Sequence, residues 1–303
     1  MKRRNPFDAN VATLAALAFC LVARMTASGA ELRGLWEFQD SSNLGKATVG
    51  HDLIFSGTPP SWAATLSDDA SGSLSGVITT VRGAVNRILA PHGIPANGGG
   101  TLVNQASWVM DVFSPAGSRS QWRTLFQTDL SNVSDGDYFI RNTDDALGVG
   151  AIGYSSAPIN ETVWTRLVIT MDLTLAGNDF KTYLNGSLFH THAPNQSVDG
   201  RFALQPGTNG VLMFTDEDGE DYPLHVAGLA IYEGALTPQE VALLGGPGQP
   251  MTLPDAGQPP IITIQPAGPS NVVALAQQTF TFTTTDPEGA NVQIQVDWGN
   301  GRW

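Results

Sequence analysis

The feature that most constrains this chain is a series of short apolar or alternating runs between residues 31 and 245, each ended by Gly, Asn, Asp, Ser or Pro. Such runs predict β-strands, and their frequent turn clusters are typical of a sandwich or jelly roll. In the run 163–172 the alternation predicts one face in the core and the other half solvated. The predicted strands are 32–38, 52–55, 77–81, 107–113, 123–127, 138–141, 163–172, 180–184, 211–215 and 224–232.

One helix is predicted at the end of this region, over residues 237–244. Thr237 and Glu240 have the spacing of a capping box, and Pro238 takes the first helical position, where its missing N–H is not needed. Gly245 follows as the terminating residue. The fold class is therefore all-β with one short C-terminal helix.

The sequence Asn185-Gly186 predicts a β-hairpin, because it supplies the two positive-φ positions of a type I′ turn. The turn predicts a register in which Lys181 faces His190. In that register His190 and His192 share the outer face, and the Lys181 cation opposite them disfavours a metal. We therefore predict that both histidines are solvated.

Residues 1–30 have the composition of a signal peptide. A basic start at Lys2, Arg3 and Arg4 is followed by an apolar run at 11–23 and the small residues Ser28-Gly29-Ala30. We predict cleavage near Ala30 and a secreted product, extracellular or periplasmic. No run approaches the roughly 20 apolar residues of a membrane span, so no membrane insertion is expected.

The composition restricts the partners. The chain holds 15 Lys and Arg against 28 Asp and Glu, a net charge of −13, and removing residues 1–30, with four cations and one anion, leaves −16. Such a field repels phosphate backbones and anionic lipid, which excludes nucleic acid, and it favours neutral or cationic partners and divalent metal. The single cysteine, Cys20, lies in the signal, so the mature chain forms no disulfide.

The C-terminal part differs in composition. Residues 247–260 are rich in Pro and Gly, which is typical of a linker. The segment 261–303 has strand-like runs and a turn at Asp286-Pro287-Glu288-Gly289. It predicts a second β-sandwich that begins here and is incomplete.

Four motifs in order resemble the laminin-G-like, concanavalin-A-like jelly roll of extracellular bacterial proteins. They are Gly34-Leu35-Trp36-Glu37-Phe38, Trp164-Thr165-Arg166-Leu167-Val168-Ile169, Tyr183-Leu184-Asn185-Gly186, and Ala227-Gly228-Leu229-Ala230-Ile231-Tyr232 leading into the helix. The resemblance spans 31–246 and implies a two-sheet antiparallel jelly-roll sandwich. It leaves the function open, because this fold hosts lectins, adhesion modules and glucanases. The segment 261–303 resembles the start of a PKD or immunoglobulin-like domain.

An acidic run, Asp216-Glu217-Asp218-Gly219-Glu220-Asp221, follows the strand at 211–215. Carboxylates on a tight turn are what Ca²⁺ selects, which makes Asp216, Asp218 and Glu220 the candidate metal ligands. A solvated acidic loop is the plain alternative. The same three residues have the i, i+2, i+4 spacing of the catalytic carboxylates in a jelly-roll glucanase. No apolar residue separates them, so we expect no apolar surroundings that would raise the pKa of one carboxyl group.

Tryptophans are the candidate sugar-stacking residues. Trp36, Trp108 and Trp164 lie in alternating strands, where burial is the usual outcome. Trp62 and Trp122 lie beside turn clusters and are the candidate ligand-binding residues.

These observations favour an exported, non-catalytic binding or adhesion module that recognises carbohydrate or an extracellular protein, with Ca²⁺ as the one candidate cofactor. Two alternatives remain. In the first, the chain is an accessory domain of an extracellular hydrolase whose catalytic domain lies outside it. In the second, the jelly roll is itself a glycoside hydrolase. No grouping of residues in the sequence predicts nucleophilic catalysis.

Overall fold

A computed structural model describes residues 30–254 except 69–71, 134–135, 178–179 and 193–195, together with the backbone of strands 261–267 and 281–285. Its elements in chain order are β1 Glu31–Trp36, β2 Ile54–Ser56, β3 Ser61–Ser67, β4 Ser73–Thr79, β5 Arg87–Ala90, β6 Gln105–Phe113, β7 Arg123–Gln127, β8 Asp137–Ile140, β9 Ala146–Val149, β10 Gly153–Pro158, β11 Thr165–Asp172, β12 Phe180–Leu184, β13 Ser187–Thr191, β14 Val211–Met213, β15 His225–Glu233, α1 Pro238–Leu244, β16 Ile261–Ala267 and β17 Thr281–Thr285.

Two antiparallel sheets form the sandwich, which confirms the predicted all-β fold class. The eight-stranded sheet has the order β13-β12-β11-β6-β15-β4-β3, with β1 also paired to β15. The seven-stranded sheet has the order β10-β9-β8-β7-β14-β5-β2. Strands β11 to β13 and β7 to β10 form consecutive hairpins, whereas the pairs β6–β15 and β7–β14 join distant parts of the chain.

The main core lies between the two sheets. Trp108 of β6 stacks on Phe126 of β7 at 4.1 Å between ring centroids, which joins the two layers at their centre. Trp36 and Trp108 are fully buried in this core and Trp164 in a smaller cluster, as predicted. The largest side chains between the sheets are Trp36, Trp108, Phe126, Tyr138, Phe180 and Phe202.

A second apolar cluster lies on the outer face of the eight-stranded sheet, beneath α1. Val241 and Leu244 of the helix pack there with Val168 and Tyr183. The helix begins as predicted, because the Thr237 hydroxyl accepts from the Glu240 N–H while the Glu240 carboxylate accepts from the Thr237 N–H. The middle of this sheet is therefore buried on both faces.

Arg166 is the polar centre of this outer face. Its guanidinium makes a bidentate ion pair with Asp111 on the neighbouring strand, with both N–O distances at 2.8 Å. The three remaining N–H groups donate to the carbonyls of Leu244, Gln249 and Pro250. All five donors are thereby used, and the expectation that this face of the strand 163–172 is half solvated is wrong, because α1 and the residues after it cover it.

The residues that follow α1 lie against the sandwich. The Gly248 N–H donates to Asp111, the Tyr232 hydroxyl donates to the Met251 carbonyl, and Met251 is buried in the cluster under α1. The first part of the expected linker 247–260 is thus attached to the jelly roll. In the C-terminal segment β16 and β17 pair antiparallel, and the other residues expected to form a PKD or immunoglobulin-like domain lie outside the described residues.

The β12–β13 hairpin corrects one prediction. Leu184 pairs with Ser187 as the turn dictates, but a bulge shifts the register so that Thr182 pairs with His190. One extra residue moves every later side chain to the opposite face. His192 is therefore buried rather than solvated, and its Nε2 lies 2.8 Å from the Tyr138 hydroxyl.

We expect Arg166→Met to lower the free energy of unfolding by about 3–5 kcal/mol, because it leaves the buried Asp111 carboxylate without its partner. Urea denaturation of the two proteins measures the loss. Arg33→Met is the matched control, since Arg33 and Glu233 form a half-exposed ion pair that contributes about 0–1 kcal/mol. Equal losses for both variants would contradict a special role for Arg166.

His192 predicts a pH dependence of stability. Burial, followed by the charge of His190, lowers the pKa of His192 to about 4. Between about pH 6.5 and pH 4 the unfolded chain therefore binds a proton that the folded chain does not, so stability falls as the pH falls through this window and is constant above it. From pH 7 to pH 5 the contribution lost is on the order of 2 kcal/mol.

Urea denaturation of the wild type and of His192→Gln at both pH values measures this contribution. His92 is also buried, with its pKa lowered to about 4 by burial, but it is present in both proteins and cancels in the comparison. If the variant and the wild type had the same pH dependence of stability, the pKa of His192 would not be lowered in the folded protein.

Candidate functional site

The acidic loop, residues 216–221, begins where the chain leaves the seven-stranded sheet. Strand β14 ends at Met213, and Phe214 adopts a positive φ of 56° that turns the backbone away. One carboxylate oxygen of Asp216 then accepts from the N–H groups of Asp218 and Glu220, at 3.1 and 3.0 Å. Gly219, with a φ of 92°, completes this side-chain-capped turn.

Three contacts hold the acidic loop in place. On β7, Gln127 donates to the Glu217 carboxylate at 2.9 Å and the Thr124 hydroxyl donates to the Glu220 carbonyl at 3.0 Å. From the other side, Arg82 donates to the Gly219 carbonyl at 2.7 Å. The loop therefore lies over the outer face of β7 rather than extending into solvent.

The three predicted metal ligands come together in this loop. Asp216, Asp218 and Glu220 each offer a carboxylate oxygen, and these oxygens all lie within 4.8 Å of one another. Asp216 is buried, Glu220 is half-buried and Asp218 is exposed. Like charges this close disfavour full ionisation unless a proton or a cation neutralises them.

The electrostatics of the loop differ from the sequence-based expectation of no apolar surroundings that would raise a pKa. Burial, and next the hydrogen bond with the Asp218 carboxyl group, raise the pKa of Asp216 to about 7. Burial and then the charge of Asp218 raise the pKa of Glu220 to about 7. The sheet beneath the loop is what buries these carboxyl groups. This burial could not be predicted from the residues next to them in the sequence.

Gln127 is a further polar group at this site. Its side chain is fully buried, and its amide nitrogen is engaged by Glu217. Its amide oxygen has no hydrogen-bond partner within the described part of the chain. A buried acceptor in that state costs about 1–3 kcal/mol, which a bound cation would offset.

An aromatic cluster, formed by Trp122, Phe139 and Tyr154, lies on the same face of the seven-stranded sheet. The Trp122 ring is 5.3 Å from Phe139 and 6.3 Å from Tyr154 between centroids. Phe139 is buried beneath while the other two rings are partly exposed. The Arg141 guanidinium lies 4.0 Å above the Tyr154 ring, as a cation–π contact.

The sheet register connects this cluster to the acidic loop. Thr124 pairs with Phe139, which pairs with Gly148, which pairs with Tyr154, so these positions form one row across four strands. Thr124 at the start of the row bonds the Glu220 carbonyl. The Trp122 carbonyl also accepts from the Tyr222 N–H directly after the loop. The aromatic cluster and the acidic loop are therefore adjacent on the outer face of the seven-stranded sheet.

The two tryptophans predicted to bind ligand are separated by the fold. Trp62 lies on the edge strand β3, opposite the core residue Ile78, and its indole N–H donates to the Phe38 carbonyl. The residue is 37 % exposed and lies on the other sheet from Trp122. Trp122 is directed to the outer face, because the adjacent Arg123 is buried on the other face in an ion pair with Asp145.

Comparison with known proteins supports a laminin-G-like jelly-roll domain. Residues 103–242 match the family model of the concanavalin A-like lectin/glucanases superfamily. The matched region, a little under half of the chain, includes the acidic loop, the aromatic cluster and the first residues of α1. No curated protein matches the sequence.

Several solved structures are similar to part of this chain at low sequence identity. Domain 4 of AbnA, an extracellular arabinanase of family GH43 from Geobacillus stearothermophilus solved with arabinotriose, is 20% identical with a TM-score of 0.46, over 70% of this chain and 97% of that one. The receptor binding domain of botulinum neurotoxin C/D mosaic serotype is 13% identical with a TM-score of 0.46, over 70% of this chain and 50% of that one. Trypanosoma rangeli sialidase is 14% identical with a TM-score of 0.46, over 70% of this chain and 32% of that one.

Sequence reasoning missed Gln127, Phe139, Tyr154 and Arg141. The alternation of β8 places Tyr138 in the core and Phe139 on the outer face, so an apolar residue at an outward position was the available signal. Gln127 carried no such signal, because its importance depends on a loop 90 residues later in the chain.

Proposed function

We propose that the jelly-roll domain is a non-catalytic module that binds carbohydrate on the outer face of its seven-stranded sheet, with Ca²⁺ as its cofactor, as one part of a larger exported protein. The observation that carries this proposal is the aromatic cluster beside the acidic loop. Partly exposed rings provide an apolar platform for the C–H face of a sugar, and adjacent carboxylates accept hydrogen bonds from its hydroxyls.

The charge of the protein favours a neutral ligand. The mature chain carries −16, and the site itself is rich in carboxylates, so it repels phosphate and other anionic polymers. A neutral glycan fits this field, and the family that the domain matches includes lectins and glucanases by description. An extracellular protein remains the second class of partner.

A binding role fits the acidic loop better than glycoside hydrolysis. A hydrolytic pair needs one carboxyl group kept protonated and one kept ionised, so their pKa values are pushed apart. Here the pKa values of Asp216 and Glu220 are both raised to about 7. Asp216 is also closed off from solvent and bonded to two backbone N–H groups, which leaves it poorly placed to reach a glycosidic bond.

On a glycan array we expect binding to neutral oligosaccharides that is lost in EDTA. With a glycan so identified, Trp122→Ala should weaken binding about tenfold, ~1.4 kcal/mol, through loss of the stacking surface. Calorimetric titration measures the affinity, and Trp62→Ala is the control, because it removes an exposed indole from the other sheet. Equal affinity of wild type and Trp122→Ala would reject this face, and release of reducing sugar from the glycan would reject the non-catalytic assignment.

The exported location leads to a separate expectation. The small residues Ser28 and Ala30 fit a signal-peptidase site, so the exported protein should begin at Glu31. N-terminal sequencing of protein recovered outside the cytoplasm checks this. Ala30→Trp should block the cleavage, and an exported product that retains Cys20 would contradict it. Among the described residues no helix has the length and hydropathy to cross a membrane.

A further inference from the structure

We infer that His192 is a positioning residue for the proposed carbohydrate site: its neutral ring holds the β9–β10 hairpin, which carries Tyr154, against the eight-stranded sheet, and acid releases that hairpin. The inference concerns the regulation of the proposed site, so its effect on sugar binding rests on the proposed function. The attachment of the hairpin is a property of the protein without ligand and is tested separately.

The imidazole of His192 joins the two sheets. Its backbone N–H, directly after β13, donates to the Phe180 carbonyl at 2.9 Å. Its Nδ1 lies 3.2 Å from the carbonyl oxygen of Gly153, which belongs to the edge strand β10 of the other sheet. Its Nε2 lies 2.8 Å from the Tyr138 hydroxyl and 3.0 Å from the Thr182 hydroxyl. One buried side chain therefore contacts β8, β10 and β12.

The hydrogen bond between Nδ1 of His192 and the Gly153 carbonyl, which we call the edge contact, fixes the state of the ring. A carbonyl oxygen only accepts, so Nδ1 carries the proton. In the neutral ring Nε2 is then an acceptor, and the Tyr138 hydroxyl donates to it. A second proton would turn this acceptor into a donor. The observed contacts therefore fit the neutral ring.

The surroundings of the ring disfavour a second proton. Four groups face it within the described residues: the Gly153 carbonyl, the hydroxyls of Tyr138 and Thr182, and the His190 ring at 4.6 Å between centroids. Strand β12 adds a cation, Lys181. Strand β8 carries Asp137, but alternation directs it away from the core, where its charge acts on Glu220 of the acidic loop. Burial, and then the charge of His190, accordingly lower the pKa of His192.

The β9–β10 hairpin lies at the free edge of the seven-stranded sheet. Gly148 of β9 has a φ of 137°, and a side chain there would begin 2.1 Å from the Gly153 carbonyl oxygen and 3.1 Å from the His192 ring. The missing side chain thus leaves room for the edge contact. Gln196 also donates to the Ala151 carbonyl at 3.2 Å, so two side chains that follow β13 bond to the backbone of this hairpin.

The hairpin connects His192 to the proposed sugar site. Tyr154 follows Gly153 directly in β10, and its ring lies 6.3 Å from Trp122 and beneath the Arg141 guanidinium. His192 bonds to β10 from the inner side of the sheet, so it acts on the Tyr154 ring through the backbone. A sugar stacked on Trp122 and Tyr154 would favour the attached hairpin. By linkage, acid that favours the released hairpin weakens sugar binding.

The size of the effect follows from the two states of the ring. The pKa of His192 is lowered to about 4 while the edge contact is made, against about 6.5 for a histidine in water. A released hairpin exposes the ring, which then binds the proton that the attached form excludes. From pH 7 to pH 5 the ratio of released to attached hairpin should therefore rise about twentyfold.

The test is amide hydrogen exchange of the purified full chain without ligand at pH 7 and pH 5, corrected for the intrinsic pH dependence of exchange. Amides of residues 147–153 should lose about twentyfold in protection. In His192→Asn, whose side-chain N–H group replaces the Nδ1 donor but does not titrate, they should stay protected at both pH values. In His192→Ala they should be poorly protected at both.

His190→Gln is the matched control. His190 is the half-buried neighbour of His192, and none of the hydrogen bonds described for the hairpin involves it. This variant should keep most of the pH response, since the charge of His190 is the smaller influence on His192. Unchanged protection of the wild-type hairpin between the two pH values would overturn the inference. So would a full response in His192→Asn or, if that variant does not fold, in His192→Gln.

Calorimetric titration with a glycan identified on the array tests the consequence for binding. The wild type should lose up to about twentyfold more affinity from pH 7 to pH 5 than His192→Asn does. Asp216 and Glu220, with pKa values raised to about 7, also titrate in this window, but they are present in both proteins and cancel. An equal loss in both proteins would overturn the positioning role. If no glycan binds, the proposed function fails, while hydrogen exchange still decides whether His192 holds the hairpin.

Discussion

The buried ion pair of Arg166 with Asp111 is the interaction on which the rest of the architecture depends. Two charges inside a protein are costly to desolvate, and that cost is offset only when every donor and acceptor is used. Arg166 meets this condition by joining two neighbouring strands to three carbonyls at and beyond the end of α1. The helix and the residues up to Met251 are thereby held over the eight-stranded sheet, and the second apolar cluster closes beneath them.

This closure makes the two sheets unequal. The eight-stranded sheet is buried on both faces at its centre. The acidic loop lies over the outer face of the seven-stranded sheet, and this face carries a row of polar and aromatic residues. The acidic loop lies here with its charges incompletely compensated, in contrast to Arg166, whose hydrogen bonds are complete. A binding site is expected where the fold leaves such interactions open to a ligand.

Some features were predictable because they depend on few neighbouring residues. The capping box at Thr237 and the type I′ turn at Asn185-Gly186 follow from local backbone requirements, and both are present. The gathering of Asp216, Asp218 and Glu220 also follows from a tight turn. The register after the turn was predicted wrongly, because the bulge that buries His192 brings it against Tyr138, 54 residues away in the chain, as well as against Thr182 of the same hairpin.

The sequence by itself determined the all-β class, the strands with strong alternation, the helix and the position of the acidic run, because each of these follows from periodicity and turn chemistry over a few residues. Only the tertiary structure decided which face is open, that Trp122 rather than Trp62 lies beside the acidic loop, and that Gln127 lies under it. Gln127 and Glu217 are 90 residues apart. Burial, and with it the raised pKa of Asp216 and of Glu220, depends on every strand packed around a residue, so it is defined only once the two sheets have assembled.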